Sequence, residues 1–382
     1  MSFSQSRRAF LLSGPAATAI AQMKSDRPQS PAVRYRVLGR TGLRVTELGF
    51  GSEAVSDVSV FERALDAGIN FFDSARSYQN GNAERALGAA LRGKRDKVIL
   101  CTRSYADSAK QVALDLDESL KALGTDHVDI WYLGQKDSPG EIKADMLEAQ
   151  HAAQKAGKIR FRGVSSHRPA AIADFAIQQK FDVIQIPYNF AIGTRRDPFN
   201  MDATNLDSTL DRFKAAGIGV VAMKVMAGGY RGIKIDEKNL DIHARSGSRI
   251  AAIRWALRND RVQTTSVRMM DRDQLEENLK AMSGEFSDQD GRLLTAYTDA
   301  VRPVFCRMCG GCDGQCPYGT RAGDVVRAVM YAESYGSYEK GLETYQRSAG
   351  TLRCSECRSC TVSCPNGVRV PERMRRAQQL FG

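Results

Sequence analysis

Four absences narrow what this 382-residue chain can be. No permanent membrane span is written into its N-terminus: the weakly apolar stretch there is broken by Ser13, Gly14 and Pro15, far short of the roughly 20 apolar residues that a spanning helix needs. No run of Lys and Arg is interleaved with aromatics, so the net charge of +11 carries no nucleic-acid footprint. The first short strand of the repeating region is not followed by a G-x-G-x-x-G turn, which argues against a Rossmann-type sheet. Cysteine is almost missing from the body of the chain: of nine, only Cys101 lies outside two C-terminal runs, and within an apolar strand it reads as a small core residue.

Those two runs are the most informative feature present. Cys306, Cys309, Cys312 and Cys316-Pro317 are followed by Cys354, Cys357, Cys360 and Cys364-Pro365. Each is a C-x2-C-x2-C-x3-C-P pattern, the arrangement that holds [4Fe–4S] clusters in bacterial two-cluster ferredoxins. Three thiolates on a tightly turning loop can reach three irons of one cube, while the fourth, before a Pro that redirects the chain, points away. In ferredoxins that fourth Cys ligates the other cluster. The expected sets are therefore Cys306, Cys309, Cys312 and Cys364 for one, and Cys354, Cys357, Cys360 and Cys316 for the other. Zinc, four disulfides, or a single cluster with one run degraded are the competing readings.

Residues 1–21 read as a twin-arginine export signal: Ser6-Arg7-Arg8-Ala9-Phe10-Leu11-Leu12, then Ala19-Ile20-Ala21 as a small-residue cleavage site. A disordered basic N-terminus with an accidental Arg pair is the alternative. Twin-arginine export carries folded proteins, the route a chain needs when clusters are inserted before it leaves the cytoplasm. The expectation is a periplasmic or otherwise extracytoplasmic protein, a client of the Tat export machinery, without a membrane span in its mature form. Two oxidised clusters at about −2 each, and loss of the signal's Arg7 and Arg8, would leave a net charge of roughly +5.

Residues 22–34 form a polar, Pro-containing linker, and Tyr35–Gly39 with Leu43–Thr46 predicts a hairpin. Eight short apolar runs then alternate with amphipathic stretches: 47–50, 69–72, 97–100, 128–132, 159–164, 182–186, 219–223 and 264–267, interleaved with helices over 57–67, 83–92, 111–123, 140–156, 169–179, 205–216, 248–259 and 271–282. That rhythm predicts a (β/α)8 TIM barrel over 35–283, followed by a small, mainly helical two-cluster ferredoxin-like domain over 284–382. An open doubly wound sheet is the alternative for the first part. In a barrel the chemistry sits where strands end and loops begin. The long loops at 190–204 and 227–247 are rich in Arg, Asp and Lys, and are either pocket walls or solvated loop.

From about residue 34 to 283 the chain resembles the aldo/keto reductase superfamily. The resemblance rests on the Tyr35-to-Gly51 hairpin and first strand, Phe72-Asp-Ser-Ala-Arg-Ser-Tyr78 with Glu84, Gly163-Val-Ser-Ser-His167, Gln185-Ile-Pro-Tyr188, Met223-Lys with Gly228-Gly229, and Gln274-Leu-Glu-Glu-Asn278. With the cysteine runs, the whole chain resembles the subgroup that carries a C-terminal ferredoxin-type domain. The resemblance implies transfer of a hydride between a nicotinamide cofactor and a carbonyl, with Tyr78 as proton donor and Asp73 as orienting carboxylate. A phenol with a pKa near 10 needs help at neutral pH. The family supplies a Lys and a His, and neither is here. Arg103 stands for the Lys, keeping its charge but unable to shuttle a proton. Gly134 stands for the His, leaving Gln135 or His167 to polarise a carbonyl oxygen. His167 is the better placed, because the fourth and fifth strand ends are neighbours, unless it lies in a loop without a catalytic role.

The resemblance also implies nicotinamide contacts at Ser165 and Gln185, a 2′-phosphate contact at Arg268 and an adenine contact at Asn278. Ser166 stands where the family usually has an Asn, and Met269 and Gln274 occupy places where polar or basic clamps are common. A periplasm holds little free NADPH, so either NADP(H) is bound before export and recycled in place, or the clusters replace it as the electron path. Three readings result: an exported iron–sulfur oxidoreductase acting on a small carbonyl or alcohol, such as a sugar derivative, with a redox partner protein; an electron-transfer or structural subunit with a degenerate barrel; and an NADPH-dependent reductase with structural clusters.

Overall fold

The computed structural model describes residues 33–192, 206–227, 247–348, 357 and 359–382. The export-signal reading of residues 1–21, nearly all of the 22–34 linker, Gly228 and Gly229, Cys354, and most of the 190–204 and 227–247 loops lie outside the described residues.

The chain begins with a two-stranded antiparallel hairpin, β1 (Tyr35–Val37) and β2 (Arg44–Thr46), with Tyr35 opposite Thr46. The hairpin closes the floor of a barrel built by the later strands. Its Leu38, Leu43 and Val45 pack with Phe71, Ile99, Cys101, Ile130, Tyr132, Val183 and Val221 in one apolar cluster, which places the lone Cys101 inside a core. Gly39 sits so close beneath the barrel sheet that a Cβ on it would lie 2.3 Å from the Gly219 nitrogen. Arg40 fastens the same corner, donating to the carbonyls of Ala216, Lys180 and Phe181 at 2.7–2.9 Å and pairing with Asp182 at 3.1 Å.

Eight parallel strands close into the barrel: β3 (Leu48–Gly51), β4 (Phe71–Asp73), β5 (Ile99–Ser104), β6 (Val128–Leu133), β7 (Ile159–Ser165), β8 (Val183–Pro187), β9 (Gly219–Met223) and β10 (Thr264–Arg268), with β10 pairing back to β3. This is the (β/α)8 architecture that the alternation predicts. The register brings Asp73 opposite both Gly51 and Cys101, Ser165 opposite Gln185, and Arg268 opposite Gly51. Residues at consecutive strand ends therefore share one rim.

Helices α1 (Val58–Asp66), α2 (Asn82–Ala90), α3 (Ala109–Leu123), α4 (Ala144–Lys155), α5 (Pro169–Gln178), α6 (Asp207–Ala215), α7 (Ser248–Leu257) and α8 (Arg272–Leu279) follow the eight barrel strands one by one in chain order. Several start on side-chain caps, such as Asp57 accepting from the Ser59 N–H at 2.8 Å and Asp271 from the Gln274 N–H at 2.8 Å, which satisfy donors that the first turn leaves open. Between helices and strands runs the larger apolar core. Phe50 lies 5.0 Å from Phe61 and 5.7 Å from Phe72, and Trp255 lies 5.0 Å from Tyr188, ring centre to ring centre.

Past the barrel come α9 (Asp288–Val301), opened by a reciprocal Ser287 and Asp290 cap, then α10 (Ala322–Ser334), α11 (Tyr338–Ser348) and α12 (Val370–Phe381). These helices make up the mainly helical region that the sequence predicts after the barrel. The cysteine-bearing part has its own small core of Val325, Val326, Val329, Val362, Val368, Val370 and Met374, with Cys306, Cys312, Cys316 and Cys364 against it. Among the described residues no helix is long and apolar enough to cross a membrane.

Barrel helices α2 and α3 touch backbone to backbone at Gly88, where an added Cβ would come within 2.5 Å of the Leu123 carbonyl oxygen. Overpacking of this kind costs about 1–3 kcal/mol. Gly88→Ala is therefore expected to lower the urea midpoint by a corresponding amount without altering the far-ultraviolet circular dichroism of the folded protein.

Candidate functional site

A cavity of about 560 Å³ opens at the carboxyl ends of the barrel strands, the face where this fold places its chemistry. All eight barrel residues singled out from the sequence border it: Asp73, Tyr78, Arg103, Ser165, His167, Gln185, Arg268 and Asn278. Backbone strain gathers around the same space. Ala54, Gln79, Asn80, Gln135 and Lys224 all adopt positive φ, between 51° and 64°, and all five line the cavity. Such conformations cost energy and persist where the surroundings hold them for a purpose.

At the bottom lies a buried ionic knot. The Asp73 carboxylate, at the end of β4, accepts one guanidinium nitrogen of Arg103, the Gln185 amide at 2.9 Å and the Ser266 hydroxyl at 2.7 Å. Arg103 also donates to the Gln185 side-chain oxygen and, at 3.2 Å, to the Ser74 carbonyl, while its guanidinium carbon stands 5.1 Å from the centre of the Tyr132 ring. Burial works against the Arg103 charge, but Asp73 and the surrounding phenols hold its pKa well above the ordinary value. Behind this knot the buried Glu84 accepts from the Thr102 hydroxyl at 2.6 Å, fixing β5 next to Arg103.

The knot changes what two sequence matches can do. A lysine would reach one partner with a point charge, whereas the planar fork of Arg103 spans Asp73 and Gln185 together. Gln185, matched to a nicotinamide contact, is thereby bound on both ends of its amide. Ser165 accepts the Gln135 N–H at 2.9 Å. Arg268 donates to the Tyr335 carbonyl at 2.7 Å, a carbonyl of the cysteine-bearing region. Asn278 is buried in α8, and its side-chain oxygen has no hydrogen-bond partner among the described residues.

Tyr78 lies on the rim, its hydroxyl 3.3 Å from that of Tyr105. Burial raises its pKa well above 10, a negative charge on Tyr105 would add to that, and Arg103 pulls the other way. Tyr105 was not apparent from the sequence; the only signal for it was a glycine elsewhere, at position 134.

His167 does not join Tyr78. Its Nε2 lies 3.3 Å from the Tyr331 hydroxyl, its backbone N–H donates to Asp137 at 2.6 Å, and its Nδ1 stands 3.6 Å from the other Asp137 oxygen. Burial drives its pKa down to about 3, against the pull of Asp137, so at neutral pH it is an uncharged imidazole able to polarise or accept. Tyr331 comes from α10, and its ring lies 4.8 Å from the Lys224 ammonium. Burial lowers the Lys224 pKa to about 8. Together with Tyr335, Ser337 and Lys340, Tyr331 makes one wall of the barrel cavity from the cysteine-bearing region, a contribution no barrel motif announces.

A second, small cavity lies within that region, bordered by Cys306, Cys309, Cys312 and Cys364. Three thiols of the first run and the last of the second thus come together. Cys357 and Cys360 belong to the other expected set with Cys316, while Cys354 lies outside the described residues. The first set fits a cubane. A Cβ on Gly323 would sit 3.2 Å from the Cys312 sulfur, and one on Gly311 2.7 Å from the Pro365 ring next to Cys364, so glycine lets the loops close around the cradle. The Asn366 backbone N–H donates to the Cys364 sulfur at 3.4 Å and its amide to the Cys309 sulfur at 3.2 Å, the kind of bond that tunes cluster sulfurs. Among the described residues no three His, Cys, Asp or Glu side chains converge on a single metal ion; a cluster would instead take each thiolate at a separate iron. Burial pushes the Cys306 thiol up to about 12 and Cys312 to about 11, so these thiols must give up protons to iron. Arg327 borders this cradle, pairs with Asp324 at 2.9 Å, and stands 3.9 Å from Asp137. One buried series of polar groups therefore runs from the cysteine cradle through Arg327, Asp137 and His167 to Tyr331 in the barrel cavity.

Two consequences are measurable. Asp73→Ala leaves Arg103 buried without its carboxylate and should cost about 3–5 kcal/mol in urea unfolding, much of it regained in Asp73→Ala with Arg103→Met. His167 binds a proton in the unfolded chain below about pH 6.5 and in the folded one only near 3. The fold accordingly loses stability as pH falls through that window. Between pH 7 and 4 the urea midpoint of His167→Gln should decline less than that of the wild type.

Comparison with known proteins is consistent with this geometry. Residues 48–298 match the aldo/keto reductase family and residues 305–369 a 4Fe-4S dicluster domain. The chain is 27% identical over 314 residues to L-galactose dehydrogenase of Arabidopsis thaliana, covering 71% of this chain and 95% of that one. It is 26% identical over 311 residues to L-glyceraldehyde 3-phosphate reductase of Escherichia coli, covering 66% and 88%. With an uncharacterised oxidoreductase of Bacillus subtilis the identity is 29% over 181 residues, 43% of this chain and only 58% of the relative. A solved aldo-keto reductase from Bacillus halodurans, in its holo form, shares the fold with a TM-score of 0.56 at 23% identity, over 69% of this chain and 95% of that one. The chain is an oxidoreductase belonging to the aldo/keto reductase family, with a 4Fe-4S dicluster domain after its barrel.

Proposed function

We propose that this protein interconverts a small alcohol and carbonyl, sugar-derived, in the barrel cavity, and that the electrons pass through two [4Fe–4S] clusters to a redox partner protein after the folded chain has been exported to the periplasm by the twin-arginine route. The observation that carries the electron path is the shared wall: residues of the cysteine-bearing region line the barrel cavity, and Arg327, Asp137, His167 and Tyr331 link it to the cysteine cradle. The export reading is supported by the Arg7-Arg8 signal and by the need to insert clusters before export. The sugar-derived substrate is supported by the two named relatives, one a reductase and one a dehydrogenase of sugar compounds.

When bound, two clusters supply one-electron stores equal in number to the electrons of an alcohol–carbonyl exchange. Cys306, Cys309, Cys312 and Cys364 would hold one, and Cys316, Cys354, Cys357 and Cys360 the other. In the barrel, Tyr78 gives the carbonyl oxygen its proton or takes it from the alcohol. Arg103 favours the ionised phenol by its charge, and Asp73 keeps that charge in place. His167, neutral at pH 7, serves as a second polar contact through Tyr331. Oxidation of an alcohol releases two electrons and two protons: the hydroxyl proton goes to ionised Tyr78, the carbon-bound hydrogen leaves as a proton to the neutral form of Lys224 at the cavity wall, and both electrons pass to the clusters.

NADP(H) as electron donor is the second reading, favoured by Ser165, Arg268 and Asn278 bordering the same cavity. The two are separated in one preparation. Anaerobically purified protein is expected to bind about eight irons and, on addition of sugar alcohols without nucleotide, to lose its visible cluster absorbance. In Tyr78→Phe that bleaching should slow by about 10²-fold or more. Bleaching that never occurs without nucleotide, together with saturable quenching of NADPH fluorescence, would establish the second reading instead.

A further inference from the structure

The family's strand-four side chain is absent at Gly134, but its space is not empty. A Cβ on Gly134 would lie 2.8 Å from Cδ1 and 2.9 Å from Cε1 of the Tyr105 ring, and 2.9 Å from the Ser104 carbonyl oxygen. Any residue larger than glycine there would displace that ring. Tyr105 follows β5 directly, two residues after Arg103, and its position is fixed on both sides. The backbone is held where the Gly134 N–H donates to the Ser104 carbonyl at 2.8 Å. From the other side, the Lys340 ammonium of α11 stands 4.6 Å from the centre of its ring. What Tyr105 places in the cavity is its hydroxyl, 3.3 Å from that of Tyr78.

We propose that Tyr105 is a positioning residue for the reaction, taking over at Gly134 the task of the missing side chain: in its protonated form it donates a hydrogen bond to the Tyr78 oxygen and holds the ionised form of that phenol. The proposal rests on Tyr78 being the group that exchanges a proton with substrate. The two hydroxyls behave as a coupled pair, one proton bridging both oxygens when the pair is singly ionised. A hydrogen bond to a charged oxygen is stronger than one between neutral groups, so the bond favours the ionised state that alcohol oxidation requires of Tyr78. The charges facing the pair come from every element around it. An ionised Tyr105 opposes ionisation of Tyr78, so the pair loses one proton and not two; Arg103 on β5 favours ionisation, Asp73 on β4 and Glu53 after β3 oppose it, and Lys340 on α11, itself paired with Glu343 at 3.0 Å, lies over the Tyr105 ring where a phenolate would attract it. The acid–base unit of the barrel is on this account completed by a residue of the cysteine-bearing region.

The test replaces Tyr78 with a ring-fluorinated tyrosine, whose fluorines bring the phenol's ionisation down toward neutral pH, in the iron-loaded full-length protein. Titration of its ¹⁹F resonance reads residue 78 alone, with no substrate required. In the Tyr105→Phe background, which keeps the ring that fills the space at Gly134, the midpoint should rise by about one pH unit, a tenfold shift. Tyr35→Phe, in the exposed hairpin, should leave the midpoint where it was. An unchanged midpoint in Tyr105→Phe, with iron content and circular dichroism intact, would overturn the proposal. Failure of the underlying reading looks different: Tyr78→Phe would bleach as fast as wild type, whatever the ¹⁹F titration shows.

Discussion

The pairing of Asp73 with Arg103 is the constraint to which the rest of the barrel cavity is fitted. A carboxylate and a guanidinium both almost out of reach of water are tolerable only when their remaining donors and acceptors are satisfied. Gln185, Ser266 and the Ser74 carbonyl do that. Those partners come from β8, β10 and the turn after β4, so one buried ion pair ties together distant parts of the ring. It also fixes which side chains are free to act. Gln185 is spent on the knot, and Tyr78 finds its hydroxyl partner in Tyr105 rather than in a cation.

Much of the architecture was legible in the sequence because period and length carried it. The runs from Val128 and from Gly219, for example, begin and end within a residue of the observed strands. The eight barrel residues were findable because strand ends in a closed barrel converge without any long-range guess: Asp73, Arg103, Ser165 and Gln185 each sit at or near the end of a strand, and register does the rest. Their partners were another matter. That Arg103 would bind Gln185, or that Arg268 would meet the Tyr335 carbonyl, depends on reach and on which elements pack above the rim.

Tyr105 shows the limit most clearly. It belongs to no motif of the chain, and its importance appears only because Gly134, just past the end of the next strand, lacks the atoms that would have occupied its place. His167 shows the same limit in reverse. Its position beside the fourth strand end was legible, yet its closest partners, Asp137 and Tyr331, turn it toward the cysteine-bearing region instead of toward Tyr78. Distances across a sequence gap of 164 residues are set by the docking of two cores, and local pattern holds no record of that.

The wall that α10 and α11 lend to the barrel has a thermodynamic corollary. Tyr331, Tyr335 and Lys340 belong to the segment whose small apolar core also backs Cys306, Cys312 and Cys364. A ligand of the cradle and a ligand of the cavity thus act on one shared element. To the extent that either binds its site better when that element is well ordered, each strengthens the other by the same factor. Iron supply and substrate supply would then be read by the protein as a single joint condition.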